Sequence, residues 1–218
     1  MSSEPIFSLR ERNRKLARDL VLDAAERLLA ADDTGDFSMR SLAAEAGVGF
    51  ATPFNHFGSK NAIVRALSTR VIERMAEQFR IQSPRGDAID RVRAMARIAV
   101  ALLLEQPKVY RTVIGALGTA DAAPSAVSDH SRALWQQALA EYDGLSGDGL
   151  ETAKQSLAEQ LAFMFRGCLS FWIAGEVRDE DLQAKVDAAV ATVLLGYAAE
   201  ARRKKLHAVI RKSPMSGT

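Results

Sequence analysis

The chain has 218 residues, 48% of them hydrophobic, and a formal net charge of +2, enough apolar material to bury a core without disulfide staples. Its single cysteine, Cys168 in the apolar run FMFRGCLSFW, excludes an internal disulfide framework and a multi-cysteine metal site. The opening MSSEPIFSLRERNRK lacks the apolar stretch of a secretion signal, and no segment reaches the roughly 18 uninterrupted apolar residues of a membrane span; a soluble, cytoplasmic chain with no membrane partner is expected.

Helical periodicity runs through nearly the whole sequence and no stretch alternates with the two-residue period of strands, so the expected fold class is all-α. A first helix opens at Ser8, where Glu11 three residues on completes a capping box. Its apolar stripe is Leu16, Leu20, Ala24 and Leu28, flanked by Val21, Ala25 and Leu29. Arg10, Arg12, Arg14, Lys15 and Arg18 make its beginning strongly basic. That cluster reads either as a nucleic-acid contact or as a solvated helix face.

A second, short helix takes Ser38 as N-cap, with Phe37 and Leu42 placed as a hydrophobic staple. Ala43, Ala44 and Ala46 keep its surface thin, and Gly47 supplies the positive φ of a sharp exit. A third short helix runs from Phe50 to His56. Gly58-Ser59 closes it and caps a fourth, whose apolar positions are Ile63, Val64, Leu67, Val71, Met75 and Phe79. Beyond Ser83-Pro84-Arg85-Gly86, helices are expected over Asp87 to Glu105, Lys108 to Gly118, Ser125 to Tyr142, Gly149 to Glu176 and Glu180 to about Ile210, about nine in all, with a frayed SPMSGT end.

Two short helices around a tight glycine turn, behind a scaffolding helix, have the form of a helix-turn-helix, although many ordinary helical corners share that outline. The words themselves are more specific. FSMRSLAAEAGVGFATPFNHFGSKNAIVRAL resembles the DNA-binding segment of the TetR family, whose pattern runs roughly T-x-x-x-I-A-x-x-A-G-V-S-x-G-T-x-Y-x-H-F-x-S-K-x-x-L. Ser38 stands for the threonine and Leu42-Ala43 for I-A; Ala46, Gly47, Val48, Thr52, His56, Phe57, Ser59 and Lys60 match directly. Gly49 replaces a capping serine, Ala51 a glycine, and Phe54 the tyrosine whose hydroxyl the family commonly gives to a DNA phosphate. Pro53 sits near the limit at which a missing helix amide is tolerated.

The resemblance implies a TetR-type DNA-binding domain over residues 14–77 and a ligand-binding and dimerisation domain over 87–211. It implies a homodimer whose reading helices lie about 34 to 36 Å apart on double-stranded operator DNA. It also implies a repressor that a small-molecule effector releases; the apolar composition favours a hydrophobic or aromatic one. On chemistry, Ser38, Arg40, Thr52, His56 and Lys60 suit phosphate contacts, with Gly49 at the N-terminus of the third helix. Phe50, Thr52 and Asn55 suit base edges: Asn pairs with adenine, and Phe or the Thr methyl meets a thymine methyl. Arg10, Arg12 and Arg14 read either as a minor-groove arm or as general phosphate attraction.

Met75, Phe79, Tyr110, Ile114, Leu117, Trp135, Phe163 and Phe171, with Arg166 as an anchor, are candidates to line the effector pocket. Leu161, Phe165, Leu169, Trp172, Val186, Ala189, Val193, Gly196 and Tyr197 are candidates for the dimer interface, each with intrachain core as its alternative. No cofactor or metal is expected. An enzyme is disfavoured because His56, His130 and His207 are widely separated and none forms an HxxxH pair. The alternative function is a helical ligand-binding protein of the same fold with weak or lost DNA binding.

Overall fold

The structure, a computed structural model, describes residues 8–31, 35–118, 127–147 and 149–213. Among these residues it is built from helices alone: α1 (Leu9–Ala31), α2 (Met39–Glu45), α3 (Ala51–Phe57), α4 (Lys60–Gln82), α5 (Ala88–Glu105), α6 (Pro107–Gly115), α7 (Val127–Leu139), α8 (Leu150–Ala153), α9 (Leu157–Ile173), α10 (Asp179–Leu195) and α11 (Glu200–Arg211), with a 3-10 turn at Ala116–Gly118. The chain divides into two compact units inside α4, after Leu67. The expected first domain runs past that division to residue 77. No helix among the described residues is long and apolar enough to cross a membrane.

In the first unit, three helices and the first two turns of α4 enclose a small core of Val21, Leu22, Ala24, Ala25, Leu29, Phe37, Leu42, Ala43, Ala46, Ile63, Val64 and Leu67. Burial along α1 begins only at Val21; Leu16 and Leu20, expected on its apolar stripe, are exposed. Ser8 and Glu11 form the expected reciprocal cap, at 2.8 and 3.2 Å. The Ser38 Oγ accepts from the Ser41 amide at 3.0 Å, and the Ser41 Oγ accepts from the Ser38 amide at 3.1 Å, a second capping box closed by serine rather than glutamate. Gly47 turns the chain out of α2 at a φ of 66°, where a Cβ would strain the backbone. Arg27 of α1 holds α2, donating to the Glu45 carboxylate at 2.6 Å and to its carbonyl at 3.3 Å.

The second unit is organised on α5, whose buried residues run from Ala88 to Leu103, with α7 and α10 packed against it and α9 packed on both. Trp135, Trp172 and Tyr110 are its largest fully buried side chains. Burying so much apolar surface leaves helix ends in need of partners, and arginines supply them. Arg91 donates to the carbonyls of Ala138 and Leu139 at the end of α7 and to the Asp143 carboxylate. Arg202 of α11 donates to Asp87 and Asp90 at the start of α5.

Two helices expected to be continuous are broken. The stretch expected as one helix from Gly149 to Glu176 is divided at 154–156 into α8 and α9, and that expected from Glu180 to Ile210 is divided at 196–199 into α10 and α11. The second break has a visible cause. The Ser146 amide donates to the Tyr197 carbonyl at 2.7 Å, the Ala199 amide donates to the Gly144 carbonyl at 3.3 Å, and Leu145 pairs with Ala198 as an isolated bridge. Those backbone groups leave the helical ladder to bind the 144–146 segment, which fits because Gly144, at a φ of 80°, has no Cβ to collide with the Asp87 carboxylate. The helix expected from Ser125 is described only from Val127, and most of the SPMSGT end lies outside the described residues.

Candidate DNA interface

α3 is seven residues long and two-faced. Pro53 is its third residue and is buried, so its missing amide falls among groups that have no intrahelical partner in any case, and its ring packs inward. Phe50, Ala51, Phe54 and Asn55 face outward and are exposed, while Thr52 and His56 flank them half-buried. Phe50 is 57% exposed and Phe54 41%, and their rings meet edge to face with centroids 5.6 Å apart. Gly49 is exposed just before the helix and contributes no side-chain cap; its carbonyl accepts from the Thr52 amide at 2.8 Å.

The cationic groups of α1 converge on the C-terminal end of α3. Arg18 lies over the Phe57 ring at 4.4 Å. Partial burial first, and then the Arg14 and Arg18 guanidinium groups, hold the His56 imidazole below its usual pKa. A neutral imidazole crowded by two fixed cations is a place where an anion would be welcome. Arg10, Arg12 and Arg14 lie within α1 rather than in an extended arm, so the minor-groove arm is not the structure they adopt. Exposed Arg40 stands on α2, and exposed Ser38 caps it. Lys60 is paired with Asp36 and lies 5.0 Å from the centre of the Phe37 ring, so a phosphate would have to compete for it. Phe54 lies beside Phe50 on the exposed face and Arg18 against the end of α3; the four-residue spacing from Phe50 to Phe54 is the sequence signal for the first.

In the second unit α9 has one covered face and one exposed face. Leu161, Phe165, Leu169 and Trp172, expected at a dimer interface, are buried by their own chain, as is Val186 of α10. Phe163 and Phe171, expected to line a pocket, are 58% and 55% exposed on the other face of α9. The cause is the helical period: positions 161, 165, 169 and 172 form one stripe against α7 and α10, and 163 and 171 fall on its far side. Ala189, Val193 and Tyr197 are half-buried and Gly196 is exposed. Met75, Phe79, Tyr110, Ile114 and Trp135 are buried, and Leu117 is partly exposed. The Trp135 Nε1 is buried without a hydrogen-bond partner. Arg166 is half-buried, its pKa lowered by burial, and donates to the Ile114 carbonyl at 3.4 Å. Burial also raises the pKa of the Cys168 thiol.

Residues 21–67 match the family model described as bacterial regulatory proteins, tetR family. An uncharacterized HTH-type transcriptional regulator of Mycobacterium tuberculosis is 34% identical over 74 residues, which are 34% of this chain and 37% of that protein; the chain thus matches about a third of that relative's length. Among solved structures, a TetR transcriptional regulator from Rhodococcus sp. RHA1 is similar with a TM-score of 0.69 at 21% identity, over 84% of this chain and 97% of that one. The structure of RolR in complex with resorcinol is similar with a TM-score of 0.62 at 14% identity, over 94% and 99%. The chain thus carries the tetR-family helix-turn-helix segment over residues 21–67 and shares the fold of TetR-family regulators over most of its length.

Proposed function

We propose that the chain is a DNA-binding transcriptional regulator acting as a homodimer, a repressor that leaves its operator when a small hydrophobic or aromatic molecule occupies the second unit. The observation that carries this reading is the outward face of α3, a short exposed helix that includes His56, with Arg14 and Arg18 of α1 beside that imidazole, as a major-groove reader flanked by phosphate contacts requires. Phe163 and Phe171 on the outer face of α9, with Ala189, Val193 and Gly196 on α10, supply an apolar surface with small residues for the second copy.

An aromatic effector is supported by the buried, unpartnered Trp135 Nε1, a donor that burial leaves unsatisfied, and by the fold shared with RolR, which binds resorcinol. A ligand that prefers one arrangement of the dimer shifts its population and so its operator affinity. α4 is the covalent element that enters both units.

A footprint on DNA upstream of the chain's own gene, joined to a reporter, tests the reading. A two-fold symmetric protected site and a reporter that rises when the protein is deleted are expected. A reporter that falls would replace repression by activation.

A further inference from the structure

We infer that the α3 surface reads operator DNA through the C5-methyl groups of thymine, with the Phe50 and Phe54 rings as the reading surface; the inference rests on the DNA-binding reading above. Two rings exposed by 57% and 41% and touching at 5.6 Å form an apolar patch that a solvated helix end does not need. Ala51 adds a methyl group beside them, and of the outward positions only Asn55 carries a side chain that hydrogen-bonds.

The border of the patch identifies its partner. Arg14 and Arg18 on α1 bring cationic groups to His56 and Phe57 at the end of α3, and Thr52 and His56 add hydrogen-bonding groups on the helix that carries the rings. An apolar protein surface would gain nothing from that rim, whereas duplex DNA presents phosphates at the rim and bases between them. Within the major groove the thymine methyl is the apolar feature of the base-pair edges. Guanine is read from there chiefly by Arg or Lys, and the sequence of α3, ATPFNHF, contains neither. Phe54 has no hydroxyl to spend on a phosphate, which leaves its ring free to pack on a base-pair edge.

Selecting sites for the full-length protein from a random duplex pool supplies the operator. Each half-site is expected to carry thymine at one or two fixed positions. Deoxyuridine is then placed at those positions, removing the methyl group while keeping the pairing and polar pattern. The affinity of the unaltered protein is expected to fall about fourfold per methyl, from roughly 0.8 kcal/mol per buried carbon, and about fifteenfold for the symmetric pair. The salt dependence should stay the same, because no phosphate contact is lost. F50A and F54A should bind the thymine and deoxyuridine sites equally. If the unaltered protein binds both sites equally, methyl reading is wrong while DNA binding stands. If selection enriches no site, DNA recognition fails together with it.

Discussion

The Arg18 guanidinium lies 4.4 Å from the centre of the Phe57 ring, and that contact ties the basic turns of α1 to the C-terminal end of α3. A cluster that composition leaves ambiguous becomes, through this one contact, part of the surface that holds α3. Arg18→Ala is therefore expected to act twice. The first unit should lose about 0.5 to 1 kcal/mol of stability, and the salt slope of operator binding should shrink by about one. Arg18→Lys should keep most of the slope. Denaturant melts and a salt titration of binding measure the two effects separately.

His56 carries the pH dependence. Its folded pKa lies below the unfolded value through burial, Arg14 and Arg18, so protonation favours the unfolded chain. The stability contribution is full above about pH 6.5 and is lost as pH falls towards the folded pKa. A bound phosphate has the opposite effect, favouring the protonated ring. Operator affinity should therefore rise several-fold between pH 8 and 5.5 while the free protein grows less stable. His56→Gln should flatten both curves, which affinity and melting measurements across that range would show.

The Asp179 carboxylate accepts from the Trp172 indole at 2.7 Å and from Arg111 at 2.8 Å, joining α10 to α9 and α6. Because Trp172 is fully buried, Asp179→Ala leaves its N–H without a partner and should cost about 2 kcal/mol. Asp179→Asn keeps an acceptor for the indole and should cost less than half as much. Urea unfolding followed by tryptophan fluorescence resolves the two variants; equal losses would contradict the role given to the indole bond.

The two faces of α9 predict opposite failures. Phe163→Asp with Phe171→Asp should yield a folded protein whose mass in light scattering halves, because these side chains are exposed on one chain. Leu161→Asp places a charge where nothing is exposed and should unfold the second unit, costing several kcal/mol. A double variant of the same mass as the unaltered protein would place the dimer contact elsewhere.

The sequence made the helix-turn-helix legible because its signals are local: capping serines, a glycine in a left-handed turn and a short run of family words. Ser8, Ser38, Gly47 and Ser59 all do at their helix ends what their chemistry dictates. Periodicity alone found the helices of the second unit but missed the break at 196–199, where 144–146 competes for the backbone across a long sequence separation. The covered and exposed faces of α9 have the same origin. An apolar residue on a helix declares that it will be covered, and only packing tells whether its own chain or another copy covers it.

Whether α3 reads DNA is tested most directly by comparing binding of the full chain to its own upstream DNA with binding to random duplex of equal length, across a salt series, for the unaltered protein and Asn55→Ala. Upstream DNA should be bound at least a thousandfold more tightly, with a steep salt slope, and Asn55→Ala should reduce that preference about tenfold, or 1 to 3 kcal/mol, without changing the slope. Equal binding to both DNAs, or a preference unaffected by Asn55→Ala, would contradict the assignment of α3 as the reading helix.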